Sequence, residues 1–130
     1  MPWFNEHSDG KRYRLLVASD SQSGVLGYAS TGRFRPKEAY ATTVEASVYC
    51  RPEAVGRGLG KLLYRELFDA IAGQDIHRIV AGITLPNSAS DALHQRFGFK
   101  TIGVYSQVGR KLDQYWDVMW MERPLKLAAG

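Results

Sequence analysis

The stretch "RPEAVGRGLGKLLYRELFDAIAG", residues 51–73, sets three glycines at 56, 58 and 60 against a helix-like run. Leu59, Leu62, Leu63, Leu67, Phe68 and Ile71 recur at spacings of three and four, which gives a helix one apolar face. Lys61, Arg65 and Asp69 fall on the other face, and Gly73 is placed to stop the helix. The first N–H groups of such a helix have no partner within it. Glycines let those groups approach a ligand without a Cβ in the way, and the helix dipole favours an anion there. Arg57 and Lys61 add positive charge. The same glycines also suit a tight turn that serves only the path of the chain.

Two familiar phosphate loops do not fit. A Walker loop needs G-x-x-x-x-G-K-[ST]. Gly60-Lys61 supplies its end, but Val55 and Leu62 occupy the other required positions. A dinucleotide fingerprint needs G-x-G-x-x-G. Gly56 and Gly58 begin it, and Lys61 stands where the third glycine belongs. What remains is a strand, a short Gly-rich turn and a helix.

The segments on either side complete the pattern. "YRLLVAS" (13–19) and "GVLGYAS" (24–30) flank the turn-rich "DSQSG" and read as a hairpin. "GRFRPKEAY" (32–40) is polar, contains Pro36 and reads as a loop. "ATTVEASVYC" (41–50) is strand-like, rich in Thr and Val. "RIVAGI" (78–83) reads as a buried strand. "LPNSAS" follows, with Asn87 or Ser88 placed to cap a short helix that Gly98 ends. "KTIGVYSQV" and "WDVMWMERPL" supply two last strands. The order is β β β α β α β β. Strand, helix, strand over 41–83 implies a parallel crossover, and the hairpins imply antiparallel pairs. The fold class is α/β, with a mixed, mainly antiparallel sheet and flanking helices.

Composition narrows the function classes. The 130 residues suit one domain, 45% hydrophobic and 23% charged. No run approaches the ~20 apolar residues of a membrane-spanning helix. The start, "MPWFNEHSDGKRYR", lacks the basic-then-apolar pattern of a signal peptide. A single cysteine, Cys50, allows no intrachain disulfide and fits a cytoplasmic location. The formal charge of +4 favours anionic partners. The basic residues are dispersed, not gathered into the stripe of a nucleic-acid binder. His7, His77 and His94 show no metal-ligand spacing, so no metal is expected.

The Gly-rich stretch resembles the acyl-CoA motif of the GNAT superfamily of N-acetyltransferases, [QR]-x-x-G-x-[GA]. Gly58 and Gly60 match its glycines, and Val55 departs from its Gln or Arg. "NSASDALHQRFGF" is similar to the family's N-x-x-[AS]-x-x-[LV]-[YH]-x-x-x-G-[FY], with Asn87, Ser90 and His94 at matching positions. "FRPKEAYATTVEASVY" resembles the phosphinothricin and methionine sulfoximine N-acetyltransferase subgroup, through Thr43, Glu45, Ser47 and Tyr49. The resemblance implies an acetyl-CoA donor held by Val48, Tyr49, Cys50, Gly56, Arg57, Gly58, Leu59, Gly60, Lys61, Asn87 and Ser90. It implies Arg35, Lys37 and Thr43 at a small amino-acid-like acceptor. Family members begin with a strand and two helices before the hairpin. Only about twelve residues precede it here, so that strand and most of both helices are expected to be absent.

Amine acetylation needs a base for the acceptor ammonium, a donor to the developing oxyanion, and a proton for the departing thiolate. Alternation along 43–49 puts Thr43, Glu45, Ser47 and Tyr49 on one face and Val44, Ala46 and Val48 on the other. Glu45 is the candidate base, working through water. The alternative is an exposed charge on a half-solvated sheet. His94 is the candidate acid, or a group that orients the acceptor. The alternative is a satisfied histidine on a short helix. The resemblance puts the oxyanion donor at a backbone N–H near Val48. Cys50 has no base partner and reads as a small buried residue. Trp116, Trp120 and Tyr105 read as packing groups, or as walls of a pocket or subunit contact. An uncovered sheet edge favours a homodimer. Two other readings stay open at this point: an acetyl-CoA-binding protein with little turnover, and a small basic RNA-associated protein.

Overall fold

The structure is a computed structural model and describes residues 3–7, 10–56 and 58–126. Its sheet has seven strands: β1 (Trp3–Glu6), β2 (Leu15–Asp20), β3 (Gly24–Arg33), β4 (Thr43–Cys50), β5 (Arg78–Thr84), β6 (Lys100–Lys111) and β7 (Gln114–Pro124). Two α-helices accompany them, α1 (Leu59–Ile71) and α2 (Ser88–Arg96). The order across the sheet is β1-β2-β3-β4-β5-β7-β6. Among the described residues only β4 and β5 pair in parallel, and α1 makes the crossover between them.

The element order matches the sequence reading except at its start. β1 pairs antiparallel with β2, from Trp3 opposite Ser19 to Glu6 opposite Leu16. This corrects the expectation that no strand precedes the hairpin. Four residues of mostly exposed edge carry too little alternation to announce themselves. β3 also runs to Arg33, three residues past its predicted end, because its pairing with β4 continues to Arg33 opposite Val44.

α1 covers the sheet with Leu59, Leu63, Tyr64, Leu67 and Ile71, all buried. They meet Leu16 and Ala18 of β2, Ala29 of β3, Val44 and Ala46 of β4, and Ile79, Ala81 and Ile83 of β5 in one core. Burying one such Leu or Ile side chain stabilises the fold by about 1.5–3 kcal/mol. Small residues on β2, β3 and β4 let the helix sit close. Leu62 falls off the apolar face and is 39% exposed, which corrects its place in the predicted stripe. Tyr64 takes its place in the core.

Tyr64 and His94 join the two helices. The Tyr64 hydroxyl lies 2.7 Å from His94 Nε2, and His94 Nδ1 lies 2.7 Å from the Ser90 carbonyl oxygen. A carbonyl only accepts, so Nδ1 carries the proton and Nε2 accepts from the tyrosine. His94 is thus a neutral, fully bonded ring, 3% exposed, packed edge-on against Tyr64 and Phe99. The buried Arg123 ties the far end of α2 to β7. It donates to the carbonyls of Phe97, Pro124 and Leu125 and lies over the Phe68 ring.

Burial lowers the His94 pKa from 6.5, against smaller raising effects of the Ser90 hydrogen bond and the Asp91 charge. The folded state therefore resists protonation that the unfolded chain accepts. Its stabilising contribution is complete above pH 6.5 and is lost as pH falls from there through the lowered folded value. Denaturant unfolding between pH 7.5 and 5 should show this loss, and His94→Gln should flatten it; an unchanged slope would contradict the assignment. Tyr64→Phe, which orphans Nε2, should cost about 1–3 kcal/mol at pH 7.5.

Candidate active site

The site grows from the place where two strands part. β4 and β5 pair only at Thr43–Arg78, Val44–Ile79 and Glu45–Val80. Beyond Glu45 the strands diverge, although β4 continues to Cys50 and β5 to Thr84. The β5-facing backbone groups of residues 46–50 therefore have no β5 partner, and Val48, Tyr49 and Cys50 among them line a slot. Glu45 stands at the fork.

A cavity of about 560 Å³ lies at the slot. The end of β4 contributes Val48, Tyr49 and Cys50. The turn and first residues of α1 contribute Val55, Gly56, Gly58, Leu59, Gly60 and Lys61. Asn87, Ser90, Leu93 and Arg96 contribute the α2 wall. The structure thus brings together ten of the eleven residues expected around the donor. The eleventh, Arg57, lies outside the described residues.

Gly58 is the N-cap of α1 at φ 77°, a left-handed conformation that favours glycine, and the helix start receives no side-chain cap. Its first amides point into a region whose described lining residues include two cations, Lys61 and Arg96, and no carboxylate. That is an anion cradle by charge and by backbone dipole. Gly60 has a different reason to lack a side chain. It is already helical, and a Cβ there would come within 3.2 Å of Leu93 Cδ2. The residue lets α1 and α2 meet. Asn87 caps α2 by accepting from the Ser90 amide at 3.0 Å. Burial pushes the Cys50 thiol up, so it stays protonated against the wall.

A second cavity, about 330 Å³, opens on the other face of the sheet. Its wall holds Phe34, Arg35, Val80, Ile102, Gly103, Val104, Tyr105 and Trp120. Val80, the ladder partner of Glu45, is the β5 residue in this wall; Glu45 itself lines neither cavity. Arg35 lies 4.1 Å above the Phe34 ring and donates to the Phe34 carbonyl at 3.0 Å. Its guanidinium has no carboxylate partner among the described residues. Trp120 lies across Gly82, where a Cβ would stand 3.1 Å from the indole. Tyr105 and Trp120 are thus cavity walls, whereas Trp116 donates its indole N–H to the Lys111 carbonyl in the β6–β7 hairpin.

Four expected site residues line neither cavity, and one of them, Glu45, stands at the last rung of the β4–β5 ladder. Lys37 is exposed before a short 3-10 turn and lines neither cavity. Thr43 is at the first rung of the β4–β5 ladder. His94 also lines neither cavity, since both nitrogens are bonded inside the protein. Sequence reasoning missed Arg96, although Ala89, Ala92, Leu93 and Arg96 share one helical face. It offered Tyr105 and Trp120 as pocket walls but missed Phe34, Val80, Ile102 and Val104 beside them, which distant segments bring together. Among the described residues no group of three or more His, Cys, Asp or Glu is placed to hold a metal.

Comparison with known proteins places this architecture. Residues 2–99 match the model of the acetyltransferase (GNAT) family. A phosphinothricin N-acetyltransferase of Streptomyces coelicolor is 55% identical over 125 residues, covering 95% of this chain and 73% of the relative. An L-methionine sulfoximine/L-methionine sulfone acetyltransferase of Pseudomonas aeruginosa is 42% identical, over 92% of this chain and 69% of the relative. A phosphinothricin acetyltransferase from Sinorhizobium meliloti, solved in complex with AcCoA, superposes with a TM-score of 0.79 at 37% identity. That match covers 86% of this chain and 60% of the solved one. An acetyltransferase from Salmonella typhimurium with its cofactor acetyl-CoA gives a TM-score of 0.80 at 37% identity, over 91% of this chain and 68% of that one. On sequence and on fold, the chain belongs to the acetyltransferase (GNAT) family.

Proposed function

We propose that this chain transfers the acetyl group of acetyl-CoA to the primary amine of a small amino-acid-like acceptor. The phosphinothricin, methionine sulfoximine and methionine sulfone class is the leading candidate, because the relatives named for those substrates are among the most similar. The observation that carries the reading is the fork at Glu45. A slot that favours an anion opens farther along β4, from Val48, and an arginine-bearing cavity holds Val80, the ladder partner of Glu45, in its wall.

The residues fit the donor by chemistry. Its diphosphate matches the amides at the start of α1, with Lys61 beside them. Its uncharged arm matches the apolar and backbone-lined slot. The bound donor supplies an activated acetyl group. A free β4 amide near Val48 would then donate to the acetyl carbonyl oxygen as charge develops there. Glu45 would take the ammonium proton of an acceptor lying in the second cavity, directly or through one water. Arg35 would hold an anionic acceptor group with its planar fork, and Thr43 and Lys37 would flank the approach. For His94, the packing supports a positioning part: it fixes Ser90 on one slot wall and leaves protonation of the sulfur to another group.

Free-thiol release from acetyl-CoA, measured over a panel of amino-acid acceptors, tests the reading. Turnover with the sulfoximine, sulfone or phosphinate compounds is expected. A thermal shift with acetyl-CoA but no turnover would instead favour a donor-binding protein without catalysis. Strong salt-dependent RNA binding with no shift would favour the RNA-associated reading. Glu45→Gln should keep acetyl-CoA binding while slowing turnover roughly tenfold or more; turnover equal to wild type would remove Glu45 from the mechanism. Arg35→Ala should raise the acceptor KM about tenfold with little change for acetyl-CoA, and Arg35→Lys should recover only part of the loss.

We also place the protein in the cytoplasm, which its single cysteine supports, and pair two copies along β6. That strand is an edge of the sheet, and it exposes Ile102, Val104, Tyr105 and Val108. An apolar edge of this length invites pairing. Light scattering should report a dimer at micromolar concentration, and Val108→Asp should shift it to monomer. A monomeric wild type would refute the pairing.

A further inference from the structure

Arg96 has no part in the mechanism above, yet it lines the slot cavity. It is exposed, in the last turn of α2, and makes no hydrogen bond or ion pair among the described residues. Lys61, the other cation among the described lining residues, stands on the opposite wall in the first turn of α1. Arg96 follows Leu93 by almost one turn, and Leu93 is the residue that meets Gly60 at the start of α1. From Ala89 to Arg96 the groove-facing line of α2 runs about 10 Å. It passes from apolar side chains to this one guanidinium.

The charges of the donor can be matched against these groups. Acetyl-CoA has an uncharged arm, a diphosphate and a separate phosphate on the ribose. The amides of the α1 start and Lys61 are suited to the diphosphate. The ribose phosphate is the remaining anion, and Arg96 is the remaining cation among the described lining residues. We propose that Arg96 binds the ribose 3′-phosphate and gives the site its preference for CoA over 3′-dephospho-CoA. The inference rests on acetyl-CoA being the donor. A guanidinium suits this task, since it presents paired N–H groups to a phosphate and stays charged at any working pH. A cation at a helix C-terminus also interacts with the helix dipole. That role would affect stability but would not distinguish the two ligands.

Calorimetric titration with CoA and with 3′-dephospho-CoA tests this by binding alone. The wild type should bind CoA about tenfold more tightly, the scale of an exposed charge-assisted contact. Arg96→Ala should weaken CoA binding by that factor and leave 3′-dephospho-CoA unchanged, so that the two become nearly equal. Arg96→Lys should keep an intermediate preference. Arg110→Ala, in the β6–β7 hairpin, should change neither. If Arg96→Ala weakens both ligands equally, the residue acts on the diphosphate or on the fold, and the inference is overturned while the donor reading stands. An undiminished preference for CoA in Arg96→Ala overturns it too. If the wild type binds neither ligand, the donor reading falls and takes this inference with it.

Discussion

The parting of β4 from β5 after Glu45 is the constraint on which the rest of the site depends. Three rungs of parallel ladder hold the strands together, and then the pairing stops while both continue. An interrupted ladder leaves backbone N–H and C=O groups without partners, a cost that structures ordinarily avoid. Here the last residues of β4, Val48, Tyr49 and Cys50, line a cavity in which a ligand or water can bond them. The interruption also fixes where chemistry can occur. Glu45 is the last residue held by the ladder, so its backbone is firm, and the opening begins beside it.

The two helices then determine the shape of the donor slot. α1 presents its start to the slot because the crossover from β4 to β5 must begin there. α2 supplies the other wall because it begins soon after β5 ends. Gly60 against Leu93 and Tyr64 against His94 hold the helices at a fixed spacing. Arg123 secures the far end of α2 through three carbonyls. Polar groups in this buried region are satisfied within the protein, which gives the pair of helices one preferred arrangement rather than a sliding contact. The apolar cavity on the opposite face is assembled differently. β5, β6 and β7 give its floor, and the loop after β3 brings Arg35 to its rim.

Much of this was legible in residue order. The spacing of Leu59, Leu63, Leu67 and Ile71 announced α1, the turn chemistry at Asn87 and Gly98 bounded α2, and alternation from Thr43 to Tyr49 gave β4 its two faces. Those signals are local, with periods of two or about 3.6 residues, so a single sequence carries them. The motif pairing Gly58 and Gly60 with Asn87, Ser90 and His94 also carried the family resemblance. Less legible were β1, whose four edge residues have little pattern, and Leu62 and Tyr64, whose apolar and amphipathic characters suggest the wrong exposures. Arg96 shared a face with recognised residues but carried no motif of its own.

The sequence by itself determined the types of the strands and α-helices other than β1, the parallel crossover and the presence of an anion-favouring turn before α1. These follow from periodicity, glycine placement and backbone dipoles, all of which act over a few residues. The tertiary structure alone decided where the β4–β5 ladder ends, and that Gly60 serves helix contact as well as the turn. It also decided that His94 is bonded on both nitrogens and that Arg35 meets Val80 and Trp120 across one cavity. Each depends on residues tens of positions apart being brought within a few ångströms. No local pattern encodes such an encounter, because it is set by how the whole core packs.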